Sequence, residues 1–344
     1  MQMDEFYMQR CIDLARLGNG NVAPNPMVGS VIVFENRVIG EGYHQLYGKA
    51  HAEVNAIDNV KDKSLLSKST IYVSLEPCAH YGQTPPCVDL IIKNKLKRVV
   101  IGCSDSFEKV SGKGVQKLKD TGIDVTIGVL EKECRELNKR FFTFHEKKRP
   151  YVVLKWAQTK DGFIDKKRSD SCQEINWISS PETKMLVHKW RSEEHSILVG
   201  KNTVQKDNPT LTVREIEGEN PIRIILDSQL ELNTSNNVFN NESNTIIFNL
   251  IKDAKLDNLE WIKLSNMKVQ TILEALYKKN IQSVFIEGGA FTLQSFIDSN
   301  CWDEARVIVG ETFFNEGVIA PVISKIPSSN FNFSTDSIYI YSNV

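Results

Sequence analysis

His51-Ala52-Glu53, Pro77-Cys78 and Cys87 are the residues of this chain whose types and spacing offer chemistry. Two thiolates and one imidazole form a donor set that zinc accepts in tetrahedral sites. Three protein ligands leave the fourth position to water, whose pKa the metal lowers to roughly 7. A carboxylate two residues beyond the histidine lies beside the metal without ligating it, so Glu53 can carry a proton from that water to a leaving group. Taken singly, a buried cysteine or a surface histidine is ordinary. Together they predict a hydrolytic centre with one zinc per chain, held by His51, Cys78 and Cys87 with Glu53 as its acid/base group.

The elements that must position these residues follow from periodicity. Met8, Cys11, Ile12, Leu14 and Ala15 repeat at helical spacing after Asp4, which predicts a helix capped by Asp4 and stopped by Gly18. Val28 to Phe34 and Val38 to Gly42 read as a hairpin around Glu35-Asn36-Arg37, and strands are expected at Thr70 to Leu75, Arg98 to Cys103 and Asp124 to Val129. His51 and Cys87 each fall where a helix should open, and one further helix is expected over Glu131 to Phe144. Strands alternating with helices argue for an α/β layer. The charged run Glu146-Lys147-Lys148-Arg149 ends in Pro150, a helix breaker, and marks a boundary between domains 1–146 and 147–344. Beyond it, strands are expected at Tyr151 onward, Ser196 to Gly200, Ile222 to Asp227, Thr245 to Asn249, Ser283 to Glu287 and Arg306 to Gly310, with a helix opened by Ser180-Pro181. The asparagine-rich stretch Asn233 to Asn244 reads as an exposed loop. Phe285-Ile286-Glu287-Gly288-Gly289-Ala290 is a buried strand leading through two glycines into a helix, where backbone N–H groups can cradle a phosphate. It lacks the Gly-x-Gly-x-x-Gly spacing of a Rossmann fingerprint.

With 344 residues the chain is long enough for two domains, and 41% hydrophobic with 25% charged residues is the composition of a globular protein. The longest apolar runs are too short to span a bilayer. No secretory signal opens the chain, so a reducing, cytoplasmic setting is expected. Seven scattered cysteines fit free thiols or metal ligands better than a disulfide framework. The 42 basic and 43 acidic residues give a net charge of -1, without the field that draws nucleic acid. A phosphate on a substrate must therefore be met locally.

His-x-Glu followed by Pro-Cys and a second Cys is the pattern of zinc deaminases. Nucleoside, tRNA and polynucleotide deaminases commonly carry Cys-x-x-Cys, whereas eight residues intervene here. The segment Leu75-Glu76-Pro77-Cys78-Ala79-His80-Tyr81-Gly82-Gln83-Thr84-Pro85-Pro86-Cys87 closely resembles the zinc loop of the bifunctional deaminase/reductase family of riboflavin biosynthesis. Pro24-Asn25-Pro26-Met27-Val28-Gly29, Gly40-Glu41-Gly42-Tyr43-His44 and Gly48-Lys49-Ala50-His51-Ala52-Glu53 resemble it too. So do Leu154-Lys155-Trp156-Ala157, Trp177-Ile178-Ser179-Ser180, Gly200-Lys201-Asn202-Thr203-Val204, Asp207-Asn208-Pro209, Leu226-Asp227-Ser228 and Glu287-Gly288-Gly289, in family order.

The resemblance implies an α/β chain with a cytidine-deaminase-like three-layer domain, then a dihydrofolate-reductase-like domain. It implies a zinc-dependent deamination of a phosphorylated diaminopyrimidine, followed by NADPH-dependent reduction of its ribosyl chain to ribityl. Asn25, His44, His80 and Asp105 would hold the substrate in the first domain. In the second, Lys155 would be catalytic, with Arg191, Leu211, Arg214 and Glu287 at the substrate. Ala157, Trp177, Thr203, Asp207, Ser228 and the segment Gly289, Ala290, Phe291, Thr292, Leu293, Gln294 and Ser295 would meet NADPH. Guanidinium groups suit a 5'-phosphate, which points to Arg191 and Arg214. A homo-oligomer with no nucleic-acid or membrane partner is expected. Three positions depart from the family: Gln83 replaces a basic residue, Asp105-Ser106-Phe107-Glu108 replaces Asp-Pro-Asn-Pro, and Ile175 stands where serine is frequent. The rival reading is a nucleoside or tRNA deaminase with an unrelated C-terminal domain.

Overall fold

The computed structural model describes residues 2–81, 85–106, 112–168 and 175–343. Its chain divides into two compact units, Met1–Lys147 and Lys148–Val344. Gln83, Phe107, Glu108 and Cys172 lie outside the described residues.

The first unit runs α1 (Gln2–Arg16), β1 (Gly29–Phe34), β2 (Arg37–Tyr43), α2 (Ala52–Asp58), β3 (Thr70–Leu75), α3 (Cys87–Lys93), β4 (Arg98–Cys103), α4 (Lys113–Asp120), β5 (Asp124–Ile127), α5 (Glu131–Leu137) and α6 (Lys139–Lys147). Its sheet has the order β2-β1-β3-β4-β5, antiparallel in the first two pairings and parallel in the last two. Alternation along the strands makes three layers. Val31, Val33, Tyr72 and Val100 face α1, α5 and α6, while Ile32, Ile71, Val73, Val99 and Ile101 face α2, α3 and α4. Each such side chain contributes about 1.5–3 kcal/mol when fully buried, more than any single cap or surface ion pair in these elements.

Three local expectations are corrected. Asp4 is not a cap: it lies inside α1, accepts the Tyr72 hydroxyl at 2.8 Å and takes the Arg98 guanidinium at 2.9 and 3.0 Å. The hairpin turns on two residues, Glu35 and Asn36, both with positive φ, so Arg37 already belongs to β2. The helix expected over Glu131 to Phe144 is two helices broken at Asn138. The Asn138 amide there accepts the Met27 N–H at 2.8 Å and donates to the Met27 carbonyl at 2.9 Å. A side chain that bonds main chain this way competes with the helix.

The second unit runs β6 (Tyr151–Gln158), β7 (Phe163–Asp165), α7 (Pro181–Ser192), β8 (Ser196–Gly200), α8 (Lys201–Asp207), β9 (Ile222–Leu226), β10 (Thr245–Asn249), β11 (Ala254–Leu256), β12 (Leu259–Lys263), α9 (Val269–Lys278), β13 (Ser283–Ile286), α10 (Ala290–Asp298), β14 (Glu304–Val309), β15 (Val318–Ile319), β16 (Ser329–Phe333) and β17 (Asp336–Ser342). Its large sheet has the order β11-β12-β10-β9-β8-β13-β6-β14-β17-β16 and is parallel from β12 through β14. Near-continuous apolar strands such as Tyr151-Val152-Val153-Leu154 fit a parallel sheet covered on both faces. α9 and α10 pack on one face, α7 and α8 on the other. Ser180 caps α7, its hydroxyl accepting the Thr183 N–H at 3.2 Å.

Asn233 to Asn244 is not simply an exposed loop. Val238 is fully buried, and the buried Arg223 guanidinium donates to the carbonyls of Val238 and Asn240 and to the Asn240 side chain. The arginine gives the segment a fixed course that its composition conceals.

Candidate active sites

In the first unit the carboxyl end of β3 and the starts of α2 and α3 converge. α2 rests closely on β2: a Cβ on Gly42 would lie 2.5 Å from the Ala56 nitrogen. His51 is the residue before α2, and Cys87 is the first residue of α3. The ligand atoms of His51, Cys78 and Cys87 all lie within 4.8 Å of one another. Cys78 and Cys87 Sγ are 3.6 and 3.3 Å from His51 Nδ1, and the Cys87 N–H donates to Cys78 Sγ at 3.3 Å. Hydrogen bonding with Cys87, and then with His51, pulls the Cys78 thiol down to about 4 against its burial. The same sharing pushes Cys87 up.

Glu53, on the first turn of α2, is buried, and its Oε2 has no hydrogen-bond partner among the described residues. Burial pushes its carboxyl up. Two soft thiolate donors, one imidazole and a buried acid with an open oxygen fit zinc and an attacking water.

Asn25 and His44 join this site. The His44 ring lies edge-on to His51 at 5.4 Å between centroids, with Nδ1 3.0 Å from the Ala50 carbonyl and Nε2 3.0 Å from the Asn25 amide nitrogen. A carbonyl can only accept, so the proton sits on Nδ1, and burial keeps the ring neutral by lowering its pKa. Nε2 therefore accepts from Asn25. His80 is half-buried in the zinc loop. Asp105 is buried just beyond β4, its N–H donating to Glu76 Oε2 at 3.3 Å.

In the second unit the residues gather at the carboxyl ends of β9, β8, β13 and β6, where ligands of open parallel sheets bind. Glu287 follows β13 and Lys155 lies on β6, with Nζ 3.9 Å from Glu287 Oε2. Arg191 of α7 donates to both oxygens of Glu287, at 2.7 and 2.8 Å, and to the Thr212 carbonyl at 3.3 Å. Burial pushes Glu287 up, but Arg191 and Lys155 outweigh it and hold the carboxyl at about 2. Burial lowers Lys155. Of the two arginines expected at a phosphate, Arg191 has its fork engaged by Glu287. Arg214 is the more open cation, its Nη1 donating to Thr210 Oγ1 at 3.0 Å.

Gly288 and Gly289 turn the chain from β13 into α10. A Cβ on Gly288 would lie 2.7 Å from that of Val199, so only glycine lets this turn sit against β8. Gly289 has φ of 62°, and a Cβ there would lie 3.6 Å from Thr203 Oγ1 and 4.0 Å from Thr292 Oγ1. Two hydroxyls thus flank a glycine at a helix N-terminus, a cradle suited to a dinucleotide phosphate. Phe291 is 86% exposed beside it, and Trp177 is 56% exposed with Lys184 over its ring. Ala157 lies near the end of β6, and Ser228 just beyond β9, where Asp227 accepts the N–H groups of Glu231 and Leu232.

Along the expected cofactor segment the side chains take different directions. Leu293 is a core residue, Gln294 accepts the Val322 N–H, and the Ser295 hydroxyl donates back to the Phe291 carbonyl, because helix geometry has turned them away from the N-terminus. Leu211 is likewise core. Asp207 is bound by the half-buried Arg168, which also holds Asp165.

Sequence reasoning gave no role to Glu76, Asn138, His188 or Arg168. Glu76 had a signal, an acidic residue directly after a buried strand. His188 had only its helical spacing from Arg191; its ring is buried, with Nδ1 accepting the Arg214 N–H at 3.2 Å.

Fold and site define a two-domain enzyme, with a zinc-dependent deaminase centre and an NADPH-dependent reductase centre. Residues 1–103 match the cytidine and deoxycytidylate deaminase zinc-binding region, and residues 150–324 match the RibD C-terminal domain. The chain is 41% identical over 324 residues to the riboflavin biosynthesis protein RibD of Aquifex aeolicus, covering 92% of this chain and 89% of that one. It is 39% identical over 326 residues to that of Bacillus amyloliquefaciens, covering 90% and 86%. Among solved structures, it resembles a diaminohydroxyphosphoribosylaminopyrimidine deaminase/5-amino-6-(5-phosphoribosylamino)uracil reductase from Thermotoga maritima with a TM-score of 0.87 and 39% identity, covering 98% of both chains. Acinetobacter baumannii RibD gives 0.90 and 30%, covering 99% of both. The chain belongs to the RibD family, the bifunctional deaminase/reductases of riboflavin biosynthesis. The rival reading of an unrelated C-terminal domain is thereby set aside.

Proposed function

We propose that the chain acts twice on one phosphorylated pyrimidine. The first step is hydrolytic deamination of 2,5-diamino-6-(5-phosphoribosylamino)pyrimidin-4-one, and the second is reduction of the product's ribosyl group to ribityl. The observation that carries this reading is that each unit holds its own set of groups: His51, Cys78, Cys87 and Glu53 in one, Lys155, Glu287 and the Gly288-Gly289 cradle in the other.

His51, Cys78 and Cys87 would hold zinc, which when bound supplies an activated water. Glu53 takes a proton from the water through its open Oε2 and delivers it to the amino nitrogen that leaves as ammonia. Asn25 and His44 orient the substrate, with His80 and Asp105 around it. In the second unit, NADPH when bound would supply hydride to the sugar C1'. Gly289, Ala290 and Thr292 with Thr203 would bind its phosphates, Ser228 and Asp207 its further groups, and Ala157, Trp177 and Phe291 its rings. Lys155 donates a hydrogen bond to the substrate, Glu287 holds Lys155 in place, and Arg214 meets the 5'-phosphate. The deaminase and reductase domains of this reading are 1–146 and 147–344, one residue from the division between the two compact units. It extends to a cytoplasmic homo-oligomer with no nucleic-acid partner, in keeping with the near-zero net charge and the family resemblance.

The test is incubation of the purified protein with the diaminopyrimidine ribosyl phosphate, with and without NADPH, and mass analysis of the products. Replacement of the amino group by oxygen without NADPH, and a further gain of two hydrogens with it, is the expected result. Unchanged substrate in both arms refutes the reading.

A further inference from the structure

Glu76 follows β3 and precedes Pro77-Cys78, and its buried carboxylate accepts four main-chain N–H groups among the described residues. Oε2 takes those of Asp105 at 3.3 Å and Gly112 at 3.1 Å, and Oε1 those of Gly114 at 3.1 Å and Val115 at 3.3 Å. Gly114 and Val115 are the second and third residues of α4, whose first-turn donors have no partner within the helix. A Cβ on Gly114 would lie 2.4 Å from the Pro77 carbonyl oxygen and 3.2 Å from Glu76 Oε1, so α4 presses on the peptide that leads into Cys78. The Glu76 N–H itself donates to the Cys103 carbonyl at 3.0 Å. Glu53 keeps an open oxygen; Glu76 has its acceptor sites filled by amides, an arrangement for holding main chain and not for moving protons.

We propose that Glu76 is a positioning residue of the deaminase, tying the main chain at Asp105 to the zinc loop so that one side chain sets the distance between a substrate group and a metal ligand. The proposal rests on the reading of Asp105 as substrate-facing. Replacing the carboxylate by an amide leaves one acceptor oxygen, so one pair of N–H groups faces an NH2 instead. Asp105 is held at 3.3 Å, the longer of the two bonds to Oε2, and belongs to no helix.

In Glu76→Gln, KM for deamination should rise about tenfold with kcat within about threefold, the scale of one or two lost hydrogen bonds. Zinc content and reduction of already deaminated substrate should stay normal, and amide hydrogen exchange at Asp105 should quicken. In an Asp105→Asn background the same change should add little. Asp105→Asn with normal KM removes Asp105 from the substrate site and overturns the reading beneath the proposal. A raised KM in Asp105→Asn to which Glu76→Gln adds its full effect leaves that reading intact and overturns the positioning role. Should Glu76→Gln lose zinc or fold, Gly114→Ala displaces α4 from the same contact with every zinc ligand untouched. It should reproduce the rise in KM, and a normal KM there overturns the proposal.

Discussion

Glu287 and Arg191 form a bidentate pair at 2.7 and 2.8 Å in the second unit, with Lys155 Nζ 3.9 Å from Glu287 Oε2. Arg191 makes both hydrogen bonds to the carboxylate, and Lys155 adds only a longer-range attraction. Removing one partner of a buried pair costs about 3–5 kcal/mol, since the charge left behind has no water. Arg191→Met should therefore lower the denaturation midpoint of the second unit and abolish NADPH oxidation. All five tryptophans lie beyond residue 150, so tryptophan fluorescence reports this unit alone. A midpoint within experimental error of the parent would show that the pair carries no such weight.

Acid should weaken the second unit in two stages. Burial, with Arg191 and Arg214 nearby, lowers His188 to about 4 from an ordinary 6.5. Between those values the unfolded chain takes a proton that the folded chain refuses, so stability falls as pH falls from about 6.5 to about 4. Glu287 is held at about 2 against an ordinary 4.5, so its contribution is present above 4.5 and lost as pH falls from there to about 2. Each group contributes a slope approaching about 1.4 kcal/mol per pH unit in its window. Urea unfolding at pH 7, 5.5 and 4.5 should show the first stage, and His188→Gln should flatten it. An unchanged slope in the variant would remove His188 as the cause.

One zinc per chain should be found by metal analysis and lost from Cys78→Ser and from Cys87→Ser, because three protein ligands set the affinity. Full zinc content in both variants would break the assignment of the centre.

The two activities should be separable. Glu53→Gln keeps all three ligands and loses the proton carrier, so deamination should fall by about 10²–10⁴ with zinc retained. The same variant, given deaminated substrate, should oxidise NADPH normally. Lys155→Met should do the reverse, accumulating the deaminated compound. Loss of both activities in either variant, with fold and zinc intact, would refute independent sites.

What could be read in the residues was whatever depends on local order. The strand-helix alternation, the placement of His51 and Cys87 at helix starts and the two glycines after β13 all come from patterns within about a dozen residues. Pairings between distant segments could not be read that way. Asn138 breaks a helix because Met27, 111 residues earlier, presents a peptide to its amide. Arg223 orders an asparagine-rich segment, and Arg191 pairs with Glu287, 96 residues away. The backbone direction of α10 likewise decides that Leu293 and Ser295 face away from the cradle while Thr292 faces it.

The bond between Asn25 and His44 fixes which end of the Asn25 amide is available. Because the His44 proton is committed to the Ala50 carbonyl, its Nε2 can only accept, and the Asn25 amide must turn its NH2 toward it. The amide oxygen is left as the end that can meet a ligand. A group placed there must bring a hydrogen of its own, so a hydroxyl or amine is welcomed, whereas an ether or ketone of the same shape meets lone pair against lone pair. One backbone carbonyl, two side chains removed from the ligand, thereby sets the polarity that this wall of the site will recognise.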